Sequence, residues 1–285
     1  MDRLRDRFWL LGIPPNSHEG WFGIKKRSRI TAAESAYYLG IRNIAIACCR
    51  GKPEHEMYAQ ECMAMDTMRE VVWGITGAGG CNPGFCEAHE KWGHLEPILE
   101  VASKFGNVTG AIFDDFFSDN SEPINRPLRF TPDVLREIRG RLHNHPARKL
   151  DMWCVLYAHE MDMDEAGTLP LKIPLAEQVS LFDGVTFWTW LGKDLKKFDE
   201  NIQRARKMTE GKRLLLGCYL YNYGQECELT AAEMEFQLTT YSKYIRDGSA
   251  EGVIFCTNSC VDLGFEAVEF AKSWMREHGD EPAVM

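Results

Sequence analysis

Two adjacent aspartates, Asp114 and Asp115, end a short apolar run over residues 108–114. Such a run predicts a buried strand, so the two carboxylates are expected at the edge of the core. Because neighbouring carboxylates repel each other, one of them should hold its proton more tightly than the other. The pair therefore predicts a proton donor and a charged base that act together near neutral pH.

Aromatic, amide and acidic side chains follow other apolar runs. A sugar needs such a mixture, because its C–H faces pack on aromatic rings while its hydroxyls need donors and acceptors at fixed places. We therefore expect a carbohydrate substrate. The candidate binding residues are Asn16, His18, Arg50, Tyr157, His159, Trp188, Trp190, Tyr219, Tyr221, Asn222 and Asn258. Glu160 is a further candidate catalytic carboxylate, which could pair with Asp114 or Asp115.

Short runs rich in β-branched and aromatic residues alternate with stretches of helical period along the whole chain. The predicted strands cover residues 8–13, 43–48, 70–76, 108–114, 149–157, 184–190, 213–219 and 252–256. The predicted helices cover residues 32–39, 55–68, 95–105, 132–142, 171–181, 195–208, 231–245 and 265–277. Capping boxes at residues 31–34 and 230–233, and a proline after Thr131, mark three helix starts.

Eight strand–helix units of about 35 residues each predict an α/β fold, a (β/α)8 TIM barrel that forms one domain over residues 1–285. A doubly wound open sheet is the alternative. That fold usually carries a glycine-rich phosphate turn after its first strand, whereas here the first strand leads into Pro14-Pro15-Asn16. In a barrel the candidate residues named above gather at the carboxyl ends of the strands.

The composition of the chain restricts the kinds of partner and the location that we expect. Asp and Glu exceed Lys and Arg by 42 to 33, and there is no block of basic residues, so a nucleic-acid partner is not expected. The first apolar run is far too short to span a membrane or to act as a secretion signal, so we expect no membrane association and a cytoplasmic location. Four of the ten cysteines, Cys48, Cys154, Cys218 and Cys256, lie in apolar runs, which predicts reduced thiols.

Several other chemistries are disfavoured. Lys149 and Lys212 stand at the beginnings of predicted strands, on the wrong side of a barrel for a Schiff-base lysine. The metalloprotease signature HExxH and the serine-hydrolase signature GxSxG do not occur. We therefore expect a site with no metal and no cofactor.

The segment Phe113-Asp114-Asp115 resembles the retaining hexosaminidases of glycoside hydrolase family eighty-four, the O-GlcNAcase type, whose barrels carry an Asp-Asp pair at the end of an apolar fourth strand. The resemblance covers about ten residues in addition to the barrel. It implies that Asp114 polarises the substrate's own acetamido group, which acts as the nucleophile, and that Asp115 is the general acid and base. It also implies that Tyr219, Tyr221, Asn222 and Trp188 line the sugar pocket.

The leading hypothesis is a glycosidase that uses carboxylate acid/base catalysis. Two alternatives stay open. In one, the barrel binds a glycan without cleaving it and its acids only hydrogen-bond hydroxyls. In the other, Asp114, Glu160 and His159 hold a metal ion for a lyase or isomerase reaction.

Overall fold

Eight parallel strands pair in sequence order and the first pairs with the last, so the sheet closes into a barrel. This computed structural model describes residues 2–49, 52–77, 94–117, 130–169 and 173–283. The strands are β1 Phe8–Gly12, β2 Asn43–Cys48, β3 Glu70–Gly77, β4 Val108–Phe113, β5 Asp151–Tyr157, β6 Gly184–Trp188, β7 Arg213–Tyr219 and β8 Gly252–Cys256. The predicted (β/α)8 barrel is confirmed.

Helices surround the strands and cover their outer faces. The described α-helices are α1 Ala32–Leu39, α2 Tyr58–Ala64, α3 Leu95–Lys104, α4 Pro132–His143, α5 Ala158–Glu165, α6 Leu175–Ser180, α7 Phe198–Met208, α8 Ala231–Arg246 and α9 Glu266–His278. Short 3-10 helices cover Leu4–Arg7, His55–Met57, Gly192–Lys197 and Asn258–Cys260. Since both faces of the sheet are covered, the strands read as nearly continuous apolar runs.

The helix starts that rest on capping chemistry are confirmed. Thr31 accepts the backbone N–H of Glu34 while the Glu34 carboxylate accepts the N–H of Thr31, and α1 begins at the next residue. Thr230 and Glu233 make the same reciprocal pair before α8. Pro132 occupies the first turn of α4. Reciprocal caps satisfy backbone groups that would otherwise lack partners, which is why they locate these starts.

Other predicted boundaries are wrong by a few residues. Strands expected to reach residues 13, 114 and 190 end at Gly12, Phe113 and Trp188, and the strand expected from residue 149 begins at Asp151. The helix expected over residues 55–68 is a 3-10 turn followed by the shorter α2, and α7 is preceded by the 3-10 helix Gly192–Lys197. The helix expected over residues 171–181 is α6, Leu175–Ser180. The apolar pattern continues past the last backbone hydrogen bond of an element, so a prediction from that pattern makes the element too long.

One helix, α5, was not predicted. It follows β5 without a loop, and the backbone N–H of Tyr157 donates to Oε2 of Glu160 at 2.8 Å. Glu160 and Met161 are its only buried residues, so the segment lacks an apolar stripe of helical period. His159 and Glu160 therefore lie on a helix, whereas the sequence suggested a loop after the strand.

Ion pairs fill the amino end of the barrel. The Arg213 guanidinium, at the start of β7, bonds Glu70 of β3, Asp151 of β5 and Glu251 next to β8 at 2.5 to 3.2 Å. It also lies 4.7 Å over the ring of Trp153. Since this end is closed by side chains, the chemistry is expected at the opposite, carboxyl end.

Two further expectations concern membrane association and the oxidation state of the cysteines. Among the residues that the structure describes, no helix is both long and apolar enough to cross a membrane. The eight described cysteines are all free thiols. Cys81 and Cys86 lie outside the described residues.

Candidate active site

A pocket opens at the carboxyl end of the barrel. Asp114 and Asp115 line it together with aromatic side chains from the ends of three strands, β5, β6 and β7, and from the loop after β1. The aromatic walls are Trp21, Phe22, Tyr157, Trp188, Trp190, Tyr219 and Tyr223. The pocket thus combines two carboxylates with apolar ring faces in one concave site.

Backbone geometry after β4 brings both aspartates to the same pocket. Successive residues of a strand point to opposite faces, so two neighbours would normally diverge. Asp115, however, has a φ of 46°, in the left-handed region that Asp tolerates better than most residues. The backbone of Asp114 is held to β3, because its N–H donates to Oγ1 of Thr76 at 3.1 Å and its carbonyl accepts from that hydroxyl at 3.3 Å. These two bonds fix the start of the turn against β3.

A tyrosine hydroxyl orients one of the carboxylates. Tyr157, the last residue of β5, donates to Oδ1 of Asp115 at 2.7 Å. Burial raises the pKa of Tyr157 well above its usual value, and the nearby charge of Asp115 raises it further. Burial also raises the pKa of Tyr219, and the nearby Cys256 and Asp115 raise it further. Both phenols therefore stay protonated at neutral pH, and that of Tyr157 donates a hydrogen bond to Asp115.

Rings surround the space in front of the carboxylates. The Trp190 ring lies 5.9 Å from Tyr219 and 6.3 Å from Tyr157, both edge-on, and is nearly parallel to Tyr223 at 6.5 Å. Trp188 lies deeper and packs 4.9 Å from Tyr219. Ring faces of this kind can pack against the C–H face of a pyranose.

The loop after β1, residues 13–31, forms another wall of the pocket. A hydrogen bond of 3.0 Å joins Nδ1 of His18 to Oγ of Ser259, and the Tyr221 hydroxyl donates to the Phe22 carbonyl at 2.9 Å. Phe22 meets Tyr223 edge-on at 5.2 Å. The loop is thus fastened to the segments that follow β7 and β8.

Several predicted binding residues do not line this pocket. Tyr221 stacks on Phe265 and supports the loop after β1. Asn222 bonds the side chain and backbone of Gln225 and so shapes the turn after β7. Asn258 is fully buried, where it accepts from the Ile13 N–H and donates to the Ile30 carbonyl. These three residues hold loops in place, so their predicted contact with a substrate is not supported by their positions.

Asn16 also shapes its own loop. It has a φ of 64°, and its side-chain amide donates to Glu19 at 2.5 Å. It is not among the side chains that line the pocket. Arg50 lies outside the described residues.

Glu160 and His159 do not join the aspartates as the sequence suggested. Glu160 is fully buried, accepts the Tyr157 N–H and does not line the pocket. The His159 ring stacks on Tyr157 at 5.2 Å and lines a second, neighbouring cavity. Burial lowers the pKa of His159, although the charges of Asp115 and Asp162 oppose this shift. A metal site built on Asp114, Glu160 and His159 is therefore unsupported, and no described group of three or more His, Cys, Asp or Glu could hold a metal ion.

The structure adds pocket residues that the sequence reasoning did not select. Phe22 and Tyr223 line the pocket, and Thr76 anchors the aspartate turn. Tyr223 belongs to a run in which Tyr219, Tyr221 and Tyr223 alternate. Alternate residues share one face of a sheet only as long as the strand continues, and β7 ends at Tyr219. Beyond this point Tyr221 and Tyr223 take different directions.

Comparisons with known proteins give the fold. No profile of a known protein family matches the sequence, and no curated protein matches it significantly. Among similar solved structures is the spore cortex-lytic enzyme SleL of Bacillus megaterium, with a TM-score of 0.60 at 11% identity over 100% of this chain and 76% of that one. Another is a family 18 chitinase of Cycas revoluta in complex with allosamidin, with a TM-score of 0.55 at 12% identity over 93% of this chain and 98% of that one.

A third similar structure is a xylanase and α-amylase inhibitor protein in complex with trehalose. Its TM-score is 0.52 at 10% identity, over 94% of this chain and 99% of that one. Enzymes and an inhibitor thus share this barrel, and at such identities the likeness shows the fold alone. The resemblance of the Asp-Asp segment to family eighty-four stays a prediction, because the glycoside hydrolase family that these comparisons name is family 18. The chain is a (β/α)8 barrel of the architecture found in glycoside hydrolases.

Proposed function

We propose that this protein is a glycoside hydrolase that cleaves a glycosidic bond with Asp114 and Asp115. One observation carries the proposal: the two carboxylates line one aromatic-walled pocket at the carboxyl end of a closed barrel. Charged groups are seldom placed on apolar walls without a function, and paired carboxylates in a cleft suit acid/base chemistry.

The proposed roles follow from the contacts of each aspartate. The Tyr157 hydroxyl donates to Oδ1 of Asp115 and so orients this carboxyl group. We assign to Asp115 the proton that moves to the leaving glycosidic oxygen as the C–O bond breaks. Asp114 lies beside it and stabilises the positive charge that develops as the substrate's acetamido oxygen bonds to the anomeric carbon and displaces the leaving oxygen. Water then attacks the anomeric carbon and returns a proton to Asp115, which restores the site.

We propose a glycan that contains N-acetylhexosamine as the substrate. The Asp-Asp segment supports this choice, since in the family that it resembles the substrate's acetamido group acts as the nucleophile. The chitinase among the similar structures is consistent with it. The apolar rings supply contacts to the sugar face but do not by themselves select the sugar.

A non-catalytic glycan-binding barrel is the second candidate, favoured by the inhibitor protein that shares the fold. A turnover assay run in parallel with calorimetry separates the two. The protein is offered chito-oligosaccharides, an aryl N-acetylglucosaminide and the matching aryl glucoside, which lacks the acetamido group. We expect product from the N-acetylated substrates, little from the glucoside, and none from the N-acetylated substrates with the D114N/D115N variant. Binding without any product would instead support the binding barrel.

A further inference from the structure

Four aromatic rings form a continuous ridge along one side of the pocket. This aromatic ridge consists of Trp21 and Phe22 from the loop after β1, Trp190 after β6, and Tyr157 at the end of β5. Neighbouring rings meet edge-on, and their centroids lie 6.2 Å, 6.2 Å and 6.3 Å apart along this series. Rings at such separations are in contact, so a sugar chain does not fit between them.

The aromatic ridge is supported on its outer side. The Phe22 carbonyl accepts from the Tyr221 hydroxyl at 2.9 Å, and the Phe22 ring packs edge-on against Tyr223 at 5.2 Å. Trp190 lies directly against the turn after β7, because a Cβ on Gly224 would come within 2.7 Å of the Trp190 carbonyl and 3.0 Å of its Nε1. The ridge is therefore a wall that is held in place by the loops behind it.

The position of Asp115 determines how a sugar ring would lie against this wall. Asp115 directly follows β4, whereas the loop that carries Phe22 is fastened to the segment after β8 by the bond between His18 and Ser259. In the closed sheet β4 and β8 lie across the barrel from each other. The C1 and C4 atoms stand at opposite corners of a pyranose, so a sugar whose anomeric carbon faces Asp115 directs its O4 hydroxyl at the wall.

We infer that this protein removes single sugars from the non-reducing end of a glycan and does not cleave within the chain. The inference rests on the proposed function, since it places the anomeric carbon at Asp115. A further sugar on O4 would have to occupy the space of the Phe22 and Trp21 rings. The leaving oxygen lies on the opposite side, next to Asp115, where the rest of the glycan departs. The substrates are therefore glycans with an unsubstituted terminal sugar.

The experiment follows the first products from two labelled substrates. One is the tetrasaccharide of β-1,4-linked N-acetylglucosamine with a fluorescent label at its reducing end. The other carries an additional galactose on O4 of its terminal sugar. From the first substrate we expect the labelled trisaccharide and a free monosaccharide as the first products. The capped substrate should react roughly 100-fold more slowly, because its galactose clashes with the wall.

Removal of one ring tests whether the wall causes this selection. F22A should raise the rate on the capped substrate, relative to the uncapped one, by roughly tenfold. The matched control is F236A, which removes a ring that is 52% exposed on α8 and does not line the pocket. It should leave the ratio of the two rates unchanged.

The possible outcomes separate the inference from the proposed function. The labelled mono- or disaccharide among the first products, or equal rates on the capped and uncapped substrates, would overturn the inference while the proposed function stands. Because this comparison uses the parent protein, it decides the inference without any variant. An F22A protein that cleaves the uncapped substrate and keeps the parent's ratio would also overturn it. If neither tetrasaccharide nor any aryl glycoside is cleaved, the proposed function and the inference both fail.

Discussion

The hydroxyl of Tyr157 lies 2.7 Å from Oδ1 of Asp115 and joins the ends of two neighbouring strands, β5 and β4. Asp115 sits in the left-handed backbone region, a conformation that persists only where neighbouring contacts hold it. The contact therefore sets the orientation of the carboxylate that is proposed to donate the proton.

Replacement of Tyr157 by Phe should lower kcat by roughly 10- to 100-fold, because a hydrogen bond to a charged or reacting carboxylate is lost. The fold should survive, since the ring and its packing remain. Steady-state kinetics with an N-acetylated aryl substrate give the value. The control is Y241F, which removes the buried Tyr241 hydroxyl that reaches Gln237 on α8, and it should leave kcat within about twofold. An unchanged kcat in Y157F would contradict the orienting role.

Trp190 is expected to contribute to binding more than to chemistry. Its half-buried ring lines the pocket, so W190A should raise KM by roughly 2- to 10-fold, as expected for the loss of one aromatic contact. Saturation kinetics measure the change. Y37A removes a ring that is 83% exposed on α1, outside the pocket, and should not change KM. Equal effects of the two variants would remove Trp190 from the proposed site.

The Trp188 ring packs against residue 217 of β7 so closely that only a glycine fits there. A Cβ at this position would lie 2.1 Å from the Trp188 ring, so G217A should destabilise the fold by about 1–3 kcal/mol through overpacking. G140A is the control, because Gly140 lies in α4 with open space around it. That change should stabilise the fold by roughly 0.5–1 kcal/mol. Denaturant unfolding compares the two variants. A neutral G217A would mean that Trp188 does not pack against this backbone.

Asp183 should make stability depend on pH. Burial alone would raise its pKa, but hydrogen bonds from Arg139, His143 and the Met152 N–H outweigh burial and lower the pKa to about 2. Since the unfolded value is about 3.9, this carboxylate stabilises the fold above roughly pH 4, and the contribution is lost as pH falls through about 2.

D183N should therefore cost on the order of 1–2 kcal/mol at pH 7 and progressively less below pH 4. Urea unfolding at a series of pH values measures this dependence. D133N removes a 93% exposed partner of Arg136 and should change stability by less than about 0.5 kcal/mol at every pH. A pH-independent cost of D183N would contradict the account of its pKa.

The barrel was predictable because its signals are local and repeated. Each strand is an apolar run covered on both faces, and helix starts such as Thr31 and Thr230 carry their own capping chemistry. The helix α5 was not predictable, because a capped helix that follows a strand directly and buries little has no apolar stripe.

The pocket was predictable only in part. Asp114 and Asp115 were recognisable because a charge pair after an apolar strand is unusual, and strand ends in a barrel share one face. Asn222, Asn258 and Glu160 look equally suitable in sequence, yet their side chains bond backbone groups nearby in space. Phe22 and Tyr223 lie on loops, and the course of those loops brings them to the pocket. Loops have no periodic sequence pattern from which this could be predicted.

The most direct test of the proton-donor claim compares the parent with D115N on aryl N-acetylglucosaminides whose leaving groups differ in pKa. A general acid matters most when the leaving group is poor, so D115N should lose roughly 10²- to 10⁴-fold in kcat on a poor leaving group and far less on an activated one. D114N should lose activity on both, since charge stabilisation at the sugar does not depend on the leaving group. Full activity of D115N on the poor leaving group would contradict the account.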